Sequence, residues 1–282
     1  MALLLAACGR QEPAPPGQRR IVTITPALTH MVVDLGHGDE IVGVAMKDNA
    51  APAGLPIVGN FEQIDYEKLL GLRPTHVLMQ AGERYVPQRL RDLAARHGFA
   101  LHLYDYPATL TEALDVLPAL GRDLGVADEA AALRAAIDAK LRRIADVTAR
   151  ATPPRVLVLI GVGPTVMASG PGTVNDDLLK LVNAVNAAGE AGVPSPTYDR
   201  EKLLALDPQV VVVMAAGGLS ADGLGALTGL NVAAVRDARV VVLDDRLIFL
   251  PSTNVAGTAL QLAKAVHPEL AAELDRAVEA AP

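Results

Sequence analysis

Side chains able to do covalent or redox chemistry are few and scattered in this sequence. The glycine-rich stretch Gly161-Val162-Gly163-Pro164, running to Gly170-Pro171-Gly172-Thr173, follows an apolar run and precedes a helical pattern. A dinucleotide phosphate cradle would occupy that place, but the third glycine of such a turn is missing and Pro164 interrupts it. No acidic residue closes a second strand about 20 residues on, as ribose recognition requires. There is no glycine run ending in a phosphate-binding lysine and no Gly-x-Ser-x-Gly elbow, and Cys8 has no histidine to activate it. The six histidines, His30, His37, His76, His97, His102 and His267, are dispersed, without an i,i+4 pair enclosing an acid. The sequence therefore predicts no catalytic residue, resident metal or cofactor. One charged cluster is better placed. Asp244-Asp245-Arg246 follows the last buried strand, where charges face the crevice in which parallel α/β folds hold ligands. A solvated turn is the alternative reading of the same three residues.

The elements that would position such a crevice are written twice. Glu67-Lys68-Leu69-Leu70-Gly71-Leu72-Arg73-Pro74, leading into Val77-Leu78-Met79, recurs as Glu201-Lys202-Leu203-Leu204-Ala205-Leu206-Asp207-Pro208, leading into Val210–Met214; six of the eight positions are identical. Each copy is an amphipathic helix ended near a proline, then an apolar run without alternation, as in a parallel strand covered on both faces. At nearly the same offset, Arg20–Ile24 is echoed by Arg155–Leu159. Two elements matched in order predict two lobes of similar βαβ, Rossmann-like construction. Between them Ala127–Ala149 carries no Gly or Pro, follows Gly125 and precedes Pro153-Pro154, predicting one helix about 35 Å long. The expected fold is α/β, with lobes over 20–126 and 151–282, a linker helix over 127–150, and a ligand cleft between the lobes. Further helices are expected over Pro26–Leu35, Val86–His97, Thr173–Leu181, Thr258–Ala265 and Pro268–Val278, and strands over Ala100–Tyr104 and Arg239–Leu243.

Composition narrows the function. The chain of 282 residues is 51% apolar, 20% charged and carries a net charge of -7, which disfavours a nucleic-acid binder. It has no Trp, three Phe and five Tyr, so a pocket has few rings with which to stack on a ligand. Leu5-Ala6-Ala7-Cys8-Gly9 closes a short apolar run as a lipobox does, so 1–8 reads as a partial lipoprotein signal with Cys8 as the lipid attachment point. Residues 9–19, with three prolines and little to bury, read as a flexible tether.

Several blocks carry a family resemblance. They are Arg20–Pro26 followed by Leu35–Val44, then Leu55-Pro56-Ile57-Val58-Gly59 and Tyr66–Pro74, and in the second half Ala168–Thr173 leading into Leu178–Leu181 and Asn186-Ala187. These blocks resemble the periplasmic substrate-binding proteins of ABC importers for vitamin B12, haem and ferric siderophores, in the class whose lobes are joined by a helix. The resemblance implies a periplasmic, lipid-anchored, non-catalytic monomer. It would capture a metal chelate and deliver it to a permease dimer driven by a cytoplasmic ATPase. A corrinoid is favoured, with a ferric siderophore or haem as alternatives, and a ligand-sensing adaptor of the same fold as another. Relatives dock through one acidic side chain per lobe, which falls here on Glu67 and Glu201. By position the cleft would draw on Met46, Asp48, Asn60, Phe61, Gln80, Arg84 and Tyr85, and across the gap on Gly163, Asp245, Arg246 and Phe249. Arg84 or Arg246 would pair with ligand carboxylates, and Tyr85 would stack or touch metal. The ligand signatures depart from the family: Lys47-Asp48-Asn49-Ala50 replaces the Asp-Tyr-Pro of the B12 group, Asn60-Phe61 replaces the haem group's tyrosine, and His30 stands where Glu is usual.

Overall fold

The computed structural model describes residues 19–216 and 224–280. Cys8 and all of the predicted tether but Arg19 lie outside the described residues. The first lobe runs β1 (Ile21–Thr23), α1 (Pro26–Asp34), β2 (Ile41–Gly43), α2 (Tyr66–Gly71), β3 (His76–Gln80), α3 (Gln88–His97) and β4 (Ala100–Tyr104). All four strands are parallel, in the order β2-β1-β3-β4. Val77, Leu78 and Met79 are fully buried on alternate faces, which is why this strand reads as an unbroken apolar run. Helix α3 begins two residues later than expected, because a 3-10 turn at Glu83–Tyr85 and then Pro87 precede it.

Two helices then carry the chain across. α4 (Leu110–Leu124) has no counterpart in the sequence reading, whereas α5 (Ala127–Thr148) matches the predicted linker almost residue for residue. The pair is antiparallel: Arg134 reaches Asp115 at 3.0 Å, and a Cβ on Gly121 would lie 2.4 Å from that of Ala130. Only glycine lets the two helices approach so closely at that crossing. The Leu110 N–H donates to Asp177 of the second lobe at 3.0 Å, while at the other end Tyr104 donates to Asp123 at 2.6 Å and Arg19 to the Leu124 carbonyl. The connection is thus a helical hairpin, and the predicted boundary at 126/127 falls at its tip.

The second lobe contains β5 (Arg155–Gly161), β6 (Val166–Ala168), α6 (Val174–Leu181), β7 (Val185–Asn186), β8 (Thr197–Tyr198), α7 (Arg200–Leu206), β9 (Val210–Ala215), α8 (Ala233–Arg236), β10 (Val240–Asp244), α9 (Val255–Val266) and α10 (Ala271–Glu279). Its parallel strands β7, β5, β9 and β10 reproduce the first lobe's order, with antiparallel β6 and β8 added beside β5. The glycine-rich stretch turns straight back into β6, a hairpin rather than a phosphate cradle.

The repeat holds to atomic detail. Asp65 caps α2 by accepting the Lys68 N–H at 2.9 Å, and Asp199 caps α7 through Lys202 at 2.8 Å. Arg73 and Asp207, one position before the repeated proline, both have positive φ (46° and 36°). Arg20 donates to the Leu72 carbonyl and Arg155 to that of Leu206. One continuous apolar cluster runs from Ile21 and Leu28 through Leu117 and Leu141 to Leu262, so the lobes share a core.

A stacked histidine pair in the first lobe makes its stability pH-dependent. His76 and His102 lie ring to ring at 5.4 Å and 10°, and His102 Nε2 is buried without a partner among the described residues. Burial, then His102 and Arg19, hold the His76 imidazole below its ordinary range, against the pull of Glu40 and Asp123. The folded state therefore keeps His76 neutral while the unfolded chain takes up a proton near pH 6.5, so this contribution is complete above that value and is lost as pH falls. Thermal melting should show a fall in Tm from pH 7.5 to 5 that is smaller in His76→Gln than in the parent.

Candidate functional site

The loops that leave the carboxyl ends of the two sheets meet, where Arg246 after β10 reaches the Asn49 carbonyl after β2. Two hollows open there and share one wall, the segment from Asp105 to Ala108 that leaves β4. The hollow on the first lobe, about 590 Å³, is lined by Phe61, Glu62, Ala81, Gly82, Tyr85, Asp105 and Tyr106. The second, about 390 Å³, is bounded by Pro107 and Ala108, the start of α6 and the Ile248–Pro251 turn, and carries Phe249. Met46, Tyr85, Tyr106 and Phe249 are large apolar or aromatic side chains left exposed on loops that follow strands, an arrangement that water alone would not favour.

The structure brings some predicted residues together and turns others inward. Phe61 and Tyr85 face one hollow and Phe249 the other. Asp48 accepts from Thr29 at 2.6 Å and from the Ala50 N–H at 3.0 Å, so it ties its own loop to α1; burial nonetheless raises its pKa above the ordinary carboxylate value. The Asn60 side-chain oxygen accepts the Glu62 and Gln63 N–H groups, an Asx turn that presents Phe61. Gln80 is 1% exposed and donates to the Asp105 carbonyl at 3.3 Å, holding the shared wall from behind. Asp245 is spent on the Leu247 N–H (2.8 Å) and Gln261 (2.9 Å). Gly163 lies in the β5–β6 turn, outside both hollows, and a Cβ there would meet nothing closer than 3.6 Å. The Met46 N–H donates to the Gly59 carbonyl at 2.7 Å, and Met46 is exposed. The two arginines expected to await ligand carboxylates are engaged: Arg246 donates to the Asn49 carbonyl at 2.6 Å, and the Arg84 guanidinium lies 4.7 Å from the Tyr85 ring centroid. Tyr106 and Asp105 escaped the sequence reading. The signal for them was present, because they follow the correctly bounded strand Ala100–Tyr104 and so occupy a ligand-bearing position.

Polar contacts also pin the lobes to each other. His30 on α1 shares its Nδ1 with Thr253 (2.8 Å) and Ser252 (3.3 Å), and Thr253 donates to Asp34 at 2.5 Å. With Arg246 to Asn49 and Leu110 to Asp177, these bonds and the shared core resist hinge motion. Solution scattering with and without ligand should give superimposable curves; a large compaction would contradict the stiff joint.

Glu67 and Glu201 occupy the same place in the first turns of α2 and α7. Both are exposed, and neither carboxylate is paired with another described residue. A further groove of about 620 Å³ carries Arg155, Lys180 and Lys202 at the amino end of β5; within it Asp176 accepts from Lys180 at 2.7 Å and from Asn186 at 2.8 Å. No group of His, Cys, Asp and Glu suited to a metal ion occurs among the described residues, and no described helix is long and apolar enough to cross a membrane.

This architecture has many counterparts. The chain is 26% identical over 196 residues, 69% of both chains, to the vitamin B12-binding protein of Yersinia pseudotuberculosis. A periplasmic haem-binding protein from Pseudomonas aeruginosa superposes with a TM-score of 0.73 at 28% identity, over 89% of this chain and 93% of that one. The periplasmic vitamin B12-binding protein of Vibrio cholerae shares the fold, with a TM-score of 0.68 at 23% identity over 90% and 98% of the two chains. Residues 21–247, from β1 through the interlobe hairpin to just past the end of β10, match the sequence profile of the periplasmic binding proteins, and the chain belongs to that family.

Proposed function

We propose that this protein captures a metal chelate between its lobes and presents it, without chemical change, to the permease of an ABC importer. The observation that carries the reading is the pair of hollows at the carboxyl ends of both sheets, with exposed rings on each side. A corrinoid is the favoured ligand, in keeping with the vitamin B12-binding relatives. Haem is the second reading, favoured by the 28% identity to a haem-binding protein. Glu67 and Glu201 then act as the docking pair: two equivalent carboxylates on pseudo-symmetric lobes suit a partner built from two equivalent subunits. The protein works as a monomer in the periplasm, held to the membrane through a lipid on Cys8, and carries no cofactor of its own. The test is an absorbance and calorimetric titration of residues 19–282 with cobalamin, cobinamide, haem and a panel of ferric siderophores. Saturable one-to-one binding of one of them is expected, and binding of none sinks the capture reading.

A further inference from the structure

The hollow on the first lobe combines three ring-bearing side chains, Phe61, Tyr85 and Tyr106, with two carboxylates, Glu62 and Asp105. Both acids are exposed, and neither carboxylate is paired with another described residue. Their backbones are fixed, Glu62 by its N–H to Asn60 and Asp105 by its carbonyl to Gln80, so each acid has a set place on the rim. No cationic side chain lines the hollow; Arg91 pairs with Glu83 at 2.6 Å, and Arg246 donates to the Asn49 carbonyl at 2.6 Å. Arg84 is exposed and lies over the Tyr85 ring at 4.7 Å, so one cation stands beside the hollow and offsets part of the charge of the two acids, leaving a net negative rim. The adjoining hollow is lined by no charged side chain. Ring faces attract positive charge through their quadrupoles, and unpaired carboxylates beside them add to that pull. A ligand bearing carboxylates would meet two like charges here and find no free cation among the lining residues.

We infer that the cleft discriminates among chelates by charge, preferring a positively charged chelate, and that Glu62 and Asp105 set the preference. This deepens the capture reading and rests on it. It also reverses the expectation that Arg84 or Arg246 receives ligand carboxylates.

The probe is a matched pair, aquacyanocobinamide, which carries one positive charge, and dicyanocobinamide, which carries none. At low ionic strength the cation should bind about tenfold tighter, a ratio that shrinks with salt. In Glu62→Gln/Asp105→Asn the ratio should fall to about one, and haem should gain relative to the cation. Equal affinity for the two cobinamides in the parent, or a preference that survives in the double variant, overturns the inference and leaves capture intact. If no chelate binds, the charge question is still answered by tyrosine fluorescence, which is clean because the chain has no Trp. With each quencher scaled to its effect on free N-acetyltyrosinamide, caesium should be favoured over iodide in the parent, and the double variant should lose the part of that bias carried by Tyr85 and Tyr106. An unchanged bias overturns the inference. The single variants Glu62→Gln and Asp105→Asn give the same readout in half-steps should the double variant fail to fold.

Discussion

Reversing both charges, Glu67→Lys with Glu201→Lys, is expected to abolish ligand-dependent ATPase stimulation of the reconstituted importer while leaving the ligand titration of the isolated protein unchanged. Each glutamate sits in a helix first turn, exposed and without a partner among the described residues, so neither contributes to the fold by pairing. In a docked complex each would meet a cation of the membrane subunits. Losing one partner of such a charge pair costs roughly 2 to 5 kcal/mol, and reversal adds repulsion. The double variant should therefore bind the transporter at least about a hundredfold more weakly, with each single variant in between. If stimulation by the double variant stays within about threefold of the parent, the carboxylates are plain surface residues.

The second large effect is on stability. Gly59 has φ 102°, and a Cβ there would stand 1.9 Å from the Gln63 carbonyl oxygen. That contact is with backbone, which cannot swing aside, and the φ is foreign to L side chains. The same turn carries the Met46 N–H bond to the Gly59 carbonyl and the Asn60 bonds that present Phe61. Gly59→Ala should cost more than about 3 kcal/mol in urea unfolding, with loss of binding at temperatures where the parent is fully folded. A variant within about 1 kcal/mol of the parent would mean that the turn relaxes freely and does not fix the wall.

The fold was legible because its pattern is redundant. Buried parallel strands such as Val77–Met79 and Val210–Met214 announce themselves as unalternating apolar runs, and the Glu-Lys-Leu-Leu repeat ties them into two equivalent halves. α4 was missed although Thr109 and Glu112 form a full capping box, because Pro118 inside the segment reads as a break. The cleft was half legible. Tyr85 and Phe249 could be placed shortly after the strands β3 and β10, and Phe61 through the family resemblance, but which polar side chains stay free is decided by contacts that no spacing reveals. Asp48 finds Thr29, Asp245 finds Gln261 across 16 residues, and Arg246 finds Asn49 across the gap between lobes. Glu62 and Asp105, by contrast, are left without a side-chain partner among the described residues.

The most direct test of capture between the lobes is hydrogen–deuterium exchange with and without saturating chelate. Binding in the cleft should slow exchange together in 60–62, 81–85, 105–108 and 248–251, segments drawn from both lobes and the wall they share. Protection confined to one lobe, or centred on the groove at 184–191, would contradict it.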